Sequence, residues 1–424
     1  MNVTFLYGAG ADKSLWNNAF LGGRFLVEAL KYLDNAFDDE GYKENALWIG
    51  SNRYRFEWKK YVRNMLQQKL ELKHGSLLKG LKNHSLEIRK DFSVEVELKI
   101  WEQFVAKNSS LRFKQLVFLA ILHTAGVSQI NRLRESIVQD VRKSLEDELP
   151  DNIGGLLDYA QLHINIDPSR DFIDLCIKII SEYMQNDSVK NEEIELVTDL
   201  LDYSQLIDEQ YKTIVDYRPQ YDTRDTTKGS VLRSLHFIYS LMYAIEAIEE
   251  KKPEVVNYYA VIESVKKDHK FHHITLNYTR YVGNQFPKTN YIHGKLGEYL
   301  NLDNREIINT HLQSSIPNIV PQTTIKPLVS FEMIKRYSDA FYNFMDSDLL
   351  ISVGFGFQRD DSHIIDIIRK ALKENGKLKL IVYAGADVII NTILEQMKLE
   401  FGSRIELYDF SKTNFETLLL RYLG

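Results

Sequence analysis

Short, nearly continuous apolar runs open and close this chain, and amphipathic stretches of helical period fill its middle. Residues 3–7 form an apolar run that stops at Gly8-Ala9-Gly10. Phe25, Leu26, Ala29, Leu30 and Leu33 then recur with the 3.6-residue period of a helix. From about 87 to 250 the period stays helical. Runs 113–124, 136–149, 172–184 and 231–248 set apolar against charged faces, with breaks at Gly126, Gly154-Gly155 and Asp187-Ser188. The polar stretch 222–230 predicts a loop, with Thr226 or Thr227 capping the helix after it. Beyond Pro253 the pattern changes back: strands are expected at 273–276, 290–292, 349–353, 378–383 and 404–408, and helices near 362–372, 388–397 and 415–422.

Apolar strands separated by helices predict a parallel sheet buried on both faces. The expected fold is α/β: a Rossmann-like three-layer sheet with an inserted all-helical domain. Residues 1–86 and 251–424 would build the sheet domain, and 87–250 the insert.

Composition narrows this picture. With 424 residues, 44% hydrophobic and 26% charged, the chain has material for a folded protein of two or three units. A net charge of −6 argues against a sequence-independent nucleic-acid binder. Residues 53–63 (RYRFEWKKYVR) alone interleave basic and aromatic groups, and read better as an amphipathic helix with Phe56, Trp58 or Tyr61 inward. One cysteine, Cys176, excludes an internal disulfide and a four-cysteine zinc site, and its apolar neighbours mark it as a core thiol. The longest apolar run, 116–122, is far shorter than a membrane span, and no basic leader precedes the first strand. A cytoplasmic location and no membrane partner are therefore expected.

Four motifs carry candidate chemistry. Gly8-Ala9-Gly10-Ala11-Asp12 ends the first strand, where glycines let a backbone approach a phosphate, although Lys13 replaces the third glycine of the dinucleotide fingerprint. A plain strand–helix turn is the other reading. Thr275-Leu276-Asn277-Tyr278-Thr279 puts an amide at the carboxyl edge of a strand, able to orient a hydroxyl or water, or merely to close its own turn. Tyr291-Ile292-His293-Gly294 puts an imidazole at a second strand end, either for proton transfer or bonded to a backbone carbonyl. Gly354-Phe355-Gly356-Phe357 follows a third strand; it offers a second cradle with a ring to pack on a base, or ordinary packing.

The order of these motifs, with His293-Gly294 sixteen residues after Asn277, resembles the sirtuin-like NAD-consuming family. The likeness is greatest to its bacterial anti-phage-defence branch, which shares features with the AbiH abortive-infection proteins. The segment Thr324-Ile325-Lys326-Pro327 ahead of a helix and the strand 349–353 also looks like that branch. The resemblance spans about 1–35 and 255–420. It implies NAD cleavage to nicotinamide and ADP-ribose, linear or cyclic, by a toxic effector of abortive infection. Asn277 and His293 would be catalytic. Gly8, Ala9, Gly10, Ala11, Asp12, Thr275, Gly354 and Phe355 would hold NAD. Control by self-assembly or a partner defence protein is implied as well. A non-catalytic sensor of NAD or cyclic ADP-ribose is the alternative on the same fold.

Departures bear on the substrate. The zinc module of sirtuin deacylases needs four cysteines, and this chain has one. Asp12 stands where deacylases usually have Ser, Leu276 where they have Gln, and Thr279 where they have Asp. No acidic-Phe-Arg element follows the glycine loop. An acyl-lysine substrate is thereby disfavoured. No metal is expected, because His272 and His273 alternate across a strand and His293 lacks evident co-ligands. Asp360 and Asp361 are read as helix caps, with ribose binding as the other possibility.

Overall fold

The computed structural model describes residues 1–13, 23–50, 55–71, 168–185, 194, 197–198, 213–218, 221, 224–250, 258–265, 269–320, 328–357, 361–389 and 391–424. The chain divides into two compact units. One is made of Met1–Leu21, Glu28–Phe56 and Tyr203–Gly424, and the other of Gly22–Val27 and Glu57–Asp202.

The strands of the first unit are β1 (Asn2–Tyr7), β2 (Lys270–Thr275), β3 (Asn290–Tyr291), β4 (Tyr299–Asn301), β5 (Ile307–Ile308), β6 (Ser315–Pro317), β7 (Leu349–Val353), β8 (Lys379–Ala384) and β9 (Ile405–Asp409). Six of them form one sheet in the order β3-β2-β1-β7-β8-β9. Every neighbouring pair in it is parallel. Counted along that sheet alone, the order is 3-2-1-4-5-6, so the chain reverses direction across the sheet between β1 and β7. Open α/β sheets bind ligands at that reversal, beyond the carboxyl ends of the strands.

Helices cover both faces, as the unbroken apolar strands require. On one face Leu6, Ile274, Leu350 and Val382 share a core with Tyr337, Ala340 and Phe344 of helix Phe331–Met345. Helices Ser362–Glu374 and Thr392–Phe401 add Ile364, Ile368, Leu394 and Met397 to it. Each such side chain contributes roughly 1.5–3 kcal/mol on full burial. On the other face Tyr383 meets Tyr258 of helix Tyr258–Ser264 and Phe415 of helix Phe415–Leu423, with ring centroids 5.8 and 5.0 Å away.

Three features differ from the sequence expectation. Helix Asp225–Glu249 begins inside the stretch read as a loop. Its N-cap is Arg224, so Thr226 and Thr227 lie in the first turn and cap nothing. This helix belongs to the sheet-bearing unit and packs on helices Leu33–Asp38 and Glu40–Ile49. It is also long and apolar enough to cross a membrane by length and composition, with mean hydropathy 1.2, yet 78% of that stretch is buried inside the protein as a core helix. Its His236 is accommodated by two backbone groups: Nδ1 accepts from the Phe56 N–H at 2.7 Å, so Nε2 carries the proton toward the Leu33 carbonyl at 2.5 Å. Second, the expected helix at 388–397 is two helices, Ala386–Ile389 and Thr392–Phe401, the latter capped by Asn391. Third, β5-β4-β6 form a small antiparallel sheet that the sequence reading did not foresee.

In the second unit, helices Trp58–Glu71 and Pro168–Gln185 pack on each other. Val62, Met65 and Leu66 are buried in one, and Ile173, Cys176 and Ile180 in the other, with Arg63 and Asp174 paired at 2.8 Å. Trp58 and Tyr61 are half-buried. Burial pushes the Cys176 thiol up, as expected of a core thiol. Runs 113–124 and 136–149 and the segment 324–327 lie outside the described residues.

Candidate active site

The glycine loops after β1 and β7 meet at the reversal point. Gly8 N–H donates to the Val353 carbonyl at 3.0 Å and Gly10 N–H to the Gly354 carbonyl at 2.9 Å. Ala11 N–H donates to Gly8 O at 2.9 Å, and Gly354 N–H to Tyr383 O at 2.9 Å. A Cβ on Gly8 would lie 2.4 Å from Phe355 Cα, and one on Gly354 (φ 63°) 2.2 Å from Ala11 N. Close approach of two backbones explains these glycines directly. It also corrects the expected phosphate cradle: the N–H groups of Gly8, Gly10, Ala11 and Gly354 are already spent on protein carbonyls. Ala9 and Gly10 remain half-buried at the rim.

Asn277 follows β2 at the same edge. The Thr275 hydroxyl accepts the Asn277 N–H at 3.1 Å, and the Asn277 Nδ2 donates to Gly8 O at 3.0 Å. Thr275 is fully buried, so it shapes this turn and offers nothing to a ligand. Asn277 is 7% exposed and its amide ties the second strand end to the first.

Beside it lies Asp12, buried, with Thr279 Oγ1 donating to Oδ2 at 2.6 Å and Tyr259 OH to Oδ1 at 3.3 Å. An aromatic stack seats Tyr259. Its ring stands edge-on to Tyr7 at 5.1 Å, the Tyr7 hydroxyl bonds His273 Nδ1 at 2.9 Å, and His273 lies flat on Phe286 at 3.7 Å. His273 is thus a core ring, and His272 sits on the other side of the strand, as the alternation required.

Burial raises the Asp12 carboxyl to about 6, against the opposing pull of the Thr279, Tyr259 and Asn277 hydrogen bonds, while the charge of Glu249 adds to the rise. The sign follows. A carboxyl with a raised folded value binds its proton more tightly folded than unfolded. Its stabilisation is complete below the unfolded value of 3.8 and is lost as pH rises through about 6. The loss amounts to about 3 kcal/mol. Asp12→Asn should remove that slope: the wild-type-minus-variant difference in unfolding free energy should change by this amount between about pH 4 and pH 7. Urea titrations of both proteins across that window check it, and parallel curves would contradict it.

His293 follows β3, which pairs with β2 through Ile274↔Asn290 and Thr275↔Tyr291. Asn277 and His293 therefore each come two residues after the paired ends, Thr275 and Tyr291, of neighbouring strands. Their side chains have different near partners, however. His293 is fully buried, with Nε2 3.4 Å from His363 Nε2. Its backbone is pinned: the His293 carbonyl accepts from Val320 N–H at 2.9 Å, and Arg336 Nη1 donates to Tyr291 O at 2.8 Å. Arg336 also forms a two-pronged bond to Glu298, both arms 2.9 Å.

Phe355 does not serve a base. It is 1% exposed and packs on Phe357 at 4.5 Å, inside the core. Asp360 lies outside the described residues. Asp361 occupies the N-cap of helix Ser362–Glu374, but its side chain makes no capping bond. The sequence reading overlooked His363; an Asp-x-His step just past a Gly-rich strand end was the available signal.

A cavity of about 470 Å³ opens beside this edge, lined by Glu246, Glu249, Glu250, Arg280, Tyr281 and Asn284. Arg280 is held by Glu249 at 2.7 Å, so the lining is acidic on balance. No protein-family sequence model matches this chain, and no curated protein matches it.

Proposed function

We propose that this protein cleaves NAD at the nicotinamide bond, releasing nicotinamide and ADP-ribose. The observation that carries the reading is the buried Asp12–Thr279 bond beside Asn277. Two departures from the sirtuin pattern are reciprocal. The carboxylate has moved to the glycine-loop position and the hydroxyl to the end of the Asn motif, and the two side chains bond to each other. A carboxylate next to an amide at the reversal point of the sheet suits this chemistry. Loss of nicotinamide builds positive charge on the ribose, and a fixed negative group there stabilises it more in the transition state than in the ground state.

Asn277 orients the attacking water or the ribose hydroxyls. Ionised Asp12 stabilises the oxocarbenium character, and the acidic cavity favours the cationic nicotinamide end of NAD. His293 accepts a proton or bonds the ribose. With the loop N–H groups engaged, the pyrophosphate is held at the half-buried rim of Ala9 and Gly10. As the family resemblance implies, the setting would be abortive infection, with activity released by self-assembly or a partner.

The Gly10–Gly354 backbone bond favours a second reading, a nucleotide sensor. A ligand entering between the loops must part that bond, and this motion would signal to a partner. Nicotinamide release measured by mass spectrometry, with and without infected-cell lysate, decides between them. Release should appear and should fall below about pH 6 as Asp12 protonates. NAD binding with no release under any activating condition selects the sensor.

A further inference from the structure

His293 belongs to a second cluster of ligand-type side chains. One ligand-type atom each from His293, Asp361 and His363 lies within 4.8 Å of the others. The two imidazoles approach through their Nε2 atoms, 3.4 Å apart, with the rings inclined at 47°. In a tetrahedral zinc site with Zn–N bonds of about 2.0–2.1 Å, two ligands stand about 3.3 Å apart. The imidazoles already span such an edge.

Asp361 supplies a further observation. Aspartate at a helix N-cap ordinarily accepts from the second or third N–H of the helix. Asp361 stands at that position and makes no such bond. The Tyr337 hydroxyl is buried with no hydrogen-bond partner among the described residues, and its ring stands edge-on to His363 at 5.2 Å.

We propose that His293, Asp361 and His363 form a binding site for a divalent first-row cation, with zinc the best fit. Two neutral imidazoles and one carboxylate are a ligand set that this metal takes with a coordination position left open. The carboxylate closes the longest separation by rotating about its own short side chain. Tyr337 then donates to the carboxylate or to a water on the metal. A cation there would engage His293 Nε2 and, in its open position, would hold a water of lowered pKa.

The site goes beyond the NAD reading and is tested without NAD. Chelator-treated full-length protein is titrated with zinc chloride by calorimetry, and with cobalt(II) followed by its visible absorption. The expected result is one ion per chain at micromolar affinity or tighter, with the intense visible band of four-coordinate cobalt. His363→Ala and Asp361→Asn should each weaken binding by about 100-fold or more, while His272→Ala leaves it unchanged. Should the variants fold poorly, imidazole nitrogen resonances of the wild type serve instead: two histidines should shift on zinc addition. Millimolar binding only, binding unaffected by both substitutions, or no shifted imidazole pair overturns the site. Nicotinamide release can persist or fail independently of each of these outcomes.

Discussion

Asn277→Ala should lower nicotinamide release by about 100-fold or more while leaving NAD binding largely intact. One positioned polar group that acts in the transition state is worth roughly 3 kcal/mol, which is that factor in rate. The substitution removes the Nδ2 bond to Gly8 O. That carbonyl still accepts from Ala11 N–H, so the loop is not left unsatisfied. The amide also favours ionised Asp12. Its loss should therefore raise the carboxyl further and move the acidic limb of the kcat/KM profile to higher pH. A merely structural role for Asn277 predicts a lower melting temperature and an unshifted limb. His293→Ala should cost about 100- to 10,000-fold if its imidazole transfers a proton. Calorimetric NAD binding beside nicotinamide release, on wild type and both variants, makes the test. A sensor would show altered affinity in both variants and no turnover in any.

Much of the sheet was legible because its strands are buried on both faces. Runs such as Leu349–Val353 are apolar without alternation, and only a covered parallel strand or a buried helix tolerates that. The same logic placed Asn277 and His293 each at a strand end, and the pairing of β2 with β3 makes those strands neighbours. The small sheet was not legible, since strands of two or three residues contain no period to detect. Helix Asp225–Glu249 was misplaced at its start because its first turn is polar, and polar residues suit helix N-termini as well as loops. Phe355 was misjudged for a geometric reason. Whether an aromatic residue after a strand faces a ligand or the core depends on the turn, and Gly354 at φ 63° with Phe357 at φ 48° sends both rings inward. The Asp12–Thr279 bond joins residues 267 apart, which no local pattern encodes.

Gly294→Ala should destabilise the protein by about 1–5 kcal/mol, and its neighbour Gly297→Ala by less, about 0–1.6 kcal/mol. Both glycines hold the same left-handed backbone, φ 82° and 83°. An L side chain there costs about 1–2 kcal/mol, partly offset by about 0.4–1 kcal/mol from the stiffer unfolded chain. The positions differ only in space. Around Gly297 a Cβ meets nothing within 4 Å. At Gly294 it would stand 1.8 Å from the Asn318 carbonyl oxygen and 2.8 Å from Asn318 Nδ2. Asn318 cannot retreat cheaply: it is fully buried, its N–H donates to Glu298 O at 2.8 Å, and its Nδ2 donates to Glu298 Oε2 at 3.1 Å. Glu298 in turn holds Arg336, which holds the Tyr291 carbonyl. The added methyl must therefore push on a buried ion pair and on the turn that carries His293, and overpacking of this kind adds roughly 1–3 kcal/mol or more. Melting temperatures should fall by roughly 2–4 °C for each kcal/mol in a unit of this size. The drop should be several degrees larger for Gly294→Ala than for Gly297→Ala. Equal losses at the two positions would mean that backbone conformation alone, and not the crowding against Asn318, makes glycine necessary beside His293.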